Sequence, residues 1–357
     1  MTLILPTTSW LMSITMKSLL PQLHPTSVLG IDVQSRGIHL VEVMRDPAGA
    51  VRLQNCAWAP LEPGWVVQGH ILEFEGVSQR LRDLVRGSAL KARRAVLGMP
   101  SRSVTTYRVS VPTSAGEDDV SRAVEVSLAS RVGERPQDWV VDYCDSNPTV
   151  KAGDSPTREV MVALSRRDRI HDRLGLAESA GVQVMAIDLE TQACEAAWKT
   201  LRTSPSDADH ATSIVLLHLD DEGIQAMACI DGVVCAESVL SWSHAQTSLL
   251  MDPTFESKVH LVSQWLRTPQ QWTWPQSDRV WTELPHWDVL YLTGRVPQHE
   301  PWADQLSVLL GIQVKLLNPL QAPDGEPAQP SITGSQEDTY GPEFFKAFGL
   351  AVQGTLQ

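Results

Sequence analysis

The sequence predicts an α/β protein of two related lobes, each a mixed β-sheet flanked by helices, with a small subdomain inserted in the first lobe. Three observations predict this class. The stretch Val28 to Ala59 reads as strand, tight turn, strand, turn and strand, and Thr212 to Leu240 repeats the scheme. Between and after these stretches, apolar residues at helical spacing alternate with short apolar runs. Two similar sheets in one chain imply a cleft between related halves.

Composition permits that size. The 357 residues are 43% hydrophobic and 20% charged, enough for two or more cores and unlike a disordered chain. The net charge of -13 argues against nucleic acid, whose binders release counterions with Lys and Arg. The local basic runs KARR (Lys91 to Arg94) and SRRDR (Ser165 to Arg169) read as solvated faces. Five cysteines without a CxxC pair predict neither a disulfide framework nor a zinc site and suit a reducing cytosol. Residues 1–26 have apolar patches but lack an early positive charge, a long apolar core and a small-residue cleavage site, so they read as an N-terminal extension. No run reaches the ~18 apolar residues of a membrane-spanning helix.

The first lobe is expected over residues 27–204. VLGIDVQ, IHLVEVMR and VRLQNCAW form a meander, joined by QSRG and DPAGA turns. Pro60 to His70 reads as a loop. The following helix, FEGVSQRLRDLVRGSAL, places Val77, Leu81, Leu84 and Val85 on one face. The strands RAVLGMP and SVTTYRVSV come next. From about 111 to 165 a separate module is expected, with acidic residues Glu117 to Asp119 opening a helix and two strands, WVVDYCD and REVMVALS. RDRIHDRLGLAESAG (helix), VQVMAIDLE (strand) and TQACEAAWKTLRT (helix) complete the lobe. The polar run SPSDADHA marks the boundary to the second lobe, 205–357. There, after the repeated meander, a helix near Phe255 to Leu266, DVLYLTG (strand), WADQLSVLLG (helix) and IQVKLLN (strand) follow. A Pro- and Gly-rich stretch at about 322–338 reads as a mobile loop, and FFKAFGLAVQG closes the chain as a helix with Phe345, Phe348, Leu350 and Ala351 as core contacts.

The duplicated strand-turn-strand resembles the actin/Hsp70/FtsA superfamily, whose two turns grip the phosphates of ATP. Within it, an ordered set of stretches is similar to the PilM family of the type IV pilus inner-membrane platform: VLGIDVQSRGIHLVEV, GHI (Gly69 to Ile71), KARRAVLGMP, VVDYCD, AGVQVMAIDLETQA, VLYLTG, LGIQVKLLNPL and AFGLAVQG. The resemblance runs from about Met16 to the end. Because PilM-like chains often begin in a form like MKSLL, residues before Met16 read as an upstream extension or a misassigned start. The resemblance implies an actin-like fold in which the 111–165 module replaces the usual small subdomain. It also implies a cytoplasmic scaffold, peripheral to the inner membrane and serving pilus biogenesis and twitching motility. Beside the module it implies a cleft that captures the N-terminal cytoplasmic tail of PilN. The strands RAVLGMP, SVTTYRVSV and WVVDYCD are its expected walls, with platform and motor proteins as further partners. Self-association stays open.

By the same resemblance the nucleotide contacts fall on Asp32, Gln34 and Ser35, on His218 and Asp220, and on Gly294 and Arg295. Each contact departs from the superfamily's pattern. Gln34 stands where glycine lets a phosphate approach, His218-Leu219-Asp220 replaces Asp-Ile-Gly, and Gly294-Arg295 replaces Gly-Gly. The expectation is therefore a degenerate cleft, no cofactor and no enzyme activity. The alternative is an ATPase switch with magnesium held near Asp32; another is the type II secretion counterpart or an adhesin-pilus relative. The former usually continues into a membrane helix, whereas this chain stops at Gln357.

Asp32 orients a hydrated metal or caps the turn. Asp188 and Glu190, at the lobe junction, position water or hold a helix start. His218, Asp220, Asp221 and Glu222 form a divalent-ion site or a solvated acidic turn. Six tryptophans, Trp265, Trp272, Trp274, Trp281, Trp287 and Trp302, fill a core or form an interface.

Overall fold

A computed structural model describes residues 27–132, 135–145, 156–201, 213–242, 255–272, 284–295, 301–321, 331–333 and 341–356. In the first lobe, β1 (Ser27–Val33), β2 (Gly37–Arg45) and β3 (Val51–Pro60) form the expected antiparallel meander. Two very short strands follow, β4 (Val66–Val67) and β5 (His70–Ile71), so part of the expected Pro60 to His70 loop is a hairpin. Helix α1 (Phe74–Gly87) buries Val77, Leu81, Leu84 and Val85, as their spacing predicts. The strands β6 (Arg94–Met99) and β7 (Val104–Pro112) come next.

Helix α2 (Glu117–Val132), β8 (Trp139–Asp145) and β9 (Thr157–Arg166) then precede α3 (Arg167–Ser179), β10 (Gln183–Leu189) and α4 (Glu190–Leu201). The second lobe contains β11 (Ser213–Leu219), β12 (Gly223–Ile230), β13 (Val233–Ser241), α5 (Phe255–Leu266), β14 (Val289–Gly294), α6 (Trp302–Leu310) and β15 (Gln313–Leu316). The strand β16 (Ser331–Thr333) and helix α7 (Phe345–Gly354) end the chain.

The duplication is complete at the level of topology. The first sheet runs β10-β6-β1-β2-β3-β16 and the second β15-β14-β11-β12-β13, so five strands correspond one to one. In both, the meander is antiparallel and the next two strands add in parallel beside its first. The sixth strand is the surprise: Ser331–Thr333 pairs in parallel with β3 inside the stretch expected to be a mobile loop. The rest of that stretch lies outside the described residues.

The inserted module is a three-stranded sheet, β7-β9-β8, with α2 on one face. It takes in β7 from Val104, ahead of the expected start near 111. Residues of β7 alternate between exposure and burial, the pattern of a sheet with one face on a core. Tyr107, Val109, Val120, Val124, Tyr143, Val160 and Val162 fill that core.

Helix α7 ties the lobes together. Phe344, Phe345, Phe348 and Ala351 share one core with Trp198 of α4 and with Ile214 and Leu216 of the second sheet. A side chain at Gly349 would run into the Ala193 carbonyl, so this close helix approach admits only glycine. Trp265, Trp272, Trp287 and Trp302 are buried in the second-lobe core, which settles these four as packing; Trp274 and Trp281 lie outside the described residues. No described helix is long and apolar enough to cross a membrane.

Candidate functional site

Two cavities take in part of the set singled out by sequence: Gln34, Ser35, Glu190, Asp220 and Glu222 in one and Asp188 in the other. The first lies between the lobes, where the two hairpin turns face each other. These turns are built alike: Gln34 N–H bonds Gly37 O and Asp220 N–H bonds Gly223 O, both at 2.9 Å. Leu61 N–H then bonds Arg36 O at 2.8 Å, as Trp242 N–H bonds Glu222 O at 2.9 Å. Register makes Asp32 the counterpart of His218 and Gln34 that of Asp220. The glycines of both hairpins, Gly37 and Gly223, follow the turn. A Cβ on Gly37 would come within 2.9 Å of Ala59 O, and one on Gly223 would strike Leu240 O, so both make room for the third strand of their meander.

The cavity, about 50 Å³, is lined by Gln34, Ser35, Arg102, Glu190, Asp220, Glu222 and Lys346, among others. Asp32 lies just beneath, 1% exposed, with its Oδ2 accepting a 2.6 Å hydrogen bond from Gln34 Nε2. Burial and the nearby Glu190 raise its pKa against the pull of Lys346. Lys346, which sequence reasoning missed, is 3% exposed and donates from Nζ to Glu190 Oε2 at 2.7 Å. Burial works against its ammonium, but Glu190, Asp32 and Asp220 together hold its pKa above the ordinary lysine range. The cleft thus carries its own cation. Among the described residues no group of three or more His, Cys, Asp and Glu could hold a metal ion, Asp32 and the 218–222 cluster included.

That cluster is solvated only in part: Asp221 is exposed, whereas Asp220 and Glu222 are half-buried and His218 is buried. Asp220 Oδ1 accepts the N–H groups of Glu222 and Gly223 at 2.8 and 2.7 Å, tying the turn. Glu222 Oε1 accepts Gln68 N–H at 2.6 Å from the first lobe, and Arg102 approaches its other oxygen at 3.7 Å. Asp221 pairs with Arg36 at 3.1 Å and Arg295 at 3.5 Å, and Arg295 also reaches Glu343 at 3.7 Å. Gln225 Nε2 donates to Ser101 Oγ at 3.1 Å. The acidic turn therefore grips the opposite lobe directly. His218 is buried with neither ring nitrogen hydrogen-bonded, and burial followed by the Lys346 charge pushes its pKa well down, so it is neutral. Gly294 closes β14 at φ +82°, against His218 and Leu219.

Asp188 and Glu190 part company. Glu190 joins the interlobe cavity, whereas Asp188 lines a second one of about 40 Å³. This groove lies between the first-lobe sheet and the inserted module. Met99 of β6, Val104 of β7, Val140 and Asp142 of β8, Leu164 of β9, Ile170 of α3, and Ile187 to Leu189 of β10 line it. The strand β10 ends the first-lobe sheet, and on the other side the groove crosses one end of the module sheet through β7, β9 and β8. Arg173 of α3, 2% exposed, holds the nearby backbone by donating to Gly98 O at 2.8 Å and Gly69 O at 3.0 Å.

The family profile described as "Type IV pilus assembly protein PilM" matches residues 30–231, the first lobe and the opening of the second. The chain belongs to the PilM family. Its fold is that of the solved PilM-PilN type IV pilus biogenesis complex, at TM-score 0.69 and 21% identity over 93% of this chain and 99% of that one. Weaker likenesses are to the ethanolamine utilization protein EutJ from Carboxydothermus hydrogenoformans (TM-score 0.47, 12% identity, 93% of this chain and 91% of that one) and to the cytoplasmic domain of EpsL, an inner membrane component of the Vibrio cholerae type II secretion system (0.43, 9%, 93% and 95%). Membership makes this chain a type IV pilus assembly protein with an actin-like fold, and both hairpin turns and β6 fall within the matched residues.

Proposed function

We propose that this chain is a cytoplasmic scaffold of the pilus inner-membrane platform that holds the N-terminal tail of PilN in the groove between the first-lobe sheet and the inserted module. The observation that carries this reading is the groove itself: its mainly apolar walls come from β6, β7, β8 and β9 and from β10, the edge strand of the first-lobe sheet. An extended peptide can add main-chain hydrogen bonds to such an edge and set alternate side chains into pockets. The solved relative is a PilM-PilN complex, which supports the choice of partner. Isothermal titration calorimetry with a peptide of the first residues of the cognate PilN tests it. Micromolar binding is expected, and no heat at high micromolar peptide sinks the reading.

We also propose that the interlobe cleft has lost its grip on nucleotide and that the chain does not hydrolyse ATP. Two features support this. A phosphate arriving at the second turn meets Asp220 and Glu222 and would have to break the Glu222 contact to Gln68. Lys346 supplies a positive charge among the carboxylates where a divalent cation would otherwise be needed. Thermal denaturation with millimolar ATP and magnesium should leave the melting point unchanged; a saturable rise in it would contradict this.

A further inference from the structure

The groove contains two carboxylates that no described side chain neutralises. Asp188 of β10 is 2% exposed and accepts Leu189 N–H at 2.8 Å through Oδ1, and Asp142 of β8 accepts Tyr143 N–H at 2.9 Å through Oδ1. Asp142 answers to burial and its bond from the Tyr143 backbone alone, and the charge that acts on Asp188 is Glu195, not a cation. Burial pushes Asp142 up to about 6 and Asp188 to about 8. Around them the lining is Met99, Val104, Val140, Leu164, Ile187 and Leu189. An ionised acid in such a setting is costly unless a partner cation arrives with it.

Resting on the reading of this groove as the PilN tail site, we infer that Asp142 and Asp188 receive a cationic group of the bound tail, so that the groove selects a segment joining a positive charge to apolar side chains. An apolar tail without charge would bury the two acids further and gain nothing from them, which turns the carboxylates into a filter as well as an anchor. A cation seated between apolar walls instead forms charge-assisted hydrogen bonds to both sides of the groove. Two parts of a tail can supply the charge: its α-ammonium group or a Lys or Arg side chain.

Fluorescence anisotropy on the full chain separates these sources with three labelled peptides: the native PilN tail, its N-acetylated form, and a form with every Lys and Arg replaced by norleucine. One of the two modified peptides should bind at least tenfold more weakly than the native tail. Asp188→Asn or Asp142→Asn should reproduce that loss with the native tail and show little further loss with the weakened peptide. Asparagine keeps Oδ1 as an acceptor for the neighbouring N–H, and the melting curve reports whether each variant folds.

Binding a cation favours the ionised acids, so the complex holds fewer protons than the free protein. Affinity should therefore rise as pH rises through about 6 and on toward about 8. If all three peptides bind within twofold of one another, the cation inference falls and the peptide site stands. If the native tail does not bind at all, both fall.

Discussion

The interlobe cleft and the groove beside the inserted module both collect buried acids, but among the described residues only the cleft sets a cation beside its own, even though Asp32 Oδ1 there lacks a hydrogen-bond partner. In the cleft, Lys346 sits 2.7 Å from Glu190 with Asp32 and Asp220 around it, and Glu222 is held by Gln68 and Arg102. In the groove, Asp142 and Asp188 have backbone partners and no described cation. A site that carries its counter-charges within the chain has little left to offer a ligand; one that leaves charge and apolar surface unmet still has binding energy to give.

The largest effect that could break this contrast is in the groove. Ala163→Arg places a competing cation on the groove wall and should reduce PilN-tail binding at least fiftyfold by calorimetry, with the melting curve reporting whether the variant folds, because Ala163 lines the groove and is only partly buried. Unchanged affinity would move the site elsewhere. Next comes the cleft: Lys346→Met leaves three carboxylates around an uncharged chain and should cost about 3–5 kcal/mol in urea unfolding, the usual loss when a buried pair is broken. Adding Glu190→Gln should recover a substantial part of that loss.

Smaller, and opposite in sign, is the effect of the groove acids on the free protein. Asp188 has a folded pKa of about 8, above its unfolded value of 3.8, so the folded state holds its proton more tightly. Stability through this group is full below the unfolded value and is lost as pH rises toward about 8. Asp188→Asn should flatten that decline and slightly stabilise the ligand-free chain at pH 8, where Glu190→Gln destabilises. The smallest effect belongs to the surface part of the interlobe contact. Arg36 is 60% exposed in its pair with Asp221, so Arg36→Gln should change stability by no more than about 0.5 kcal/mol, and less at high salt.

Local pattern made the meanders, α1 and the closing helix legible, because tight turns and periods of two or 3.6 residues survive in any tertiary setting. Tertiary placement hid the rest. Lys346 is 156 positions from Glu190 and sits in a helix, FFKAFGLAVQG, whose apolar flanks mark a buried face. A lone lysine on that face was the signal that could have found it. Asp188 and Glu190 read as one acidic stretch, yet one ends a strand and the other opens a helix, which turns them toward different cavities. The run 218–222 reads as an exposed acidic turn because its partners, Gln68, Arg102 and Arg36, come from the other lobe. Ser331–Thr333 has no apolar alternation and becomes a strand only because β3 offers an edge.

Hydrogen–deuterium exchange of the full chain with and without the PilN tail peptide tests the contrast most directly. The account predicts slowed exchange in 99–104, 139–142 and 187–189, with the turns 34–36 and 220–222 unchanged by the peptide and equally unchanged by ATP with magnesium. Protection of those two turns by ATP, with the groove unaffected by the tail, would contradict it.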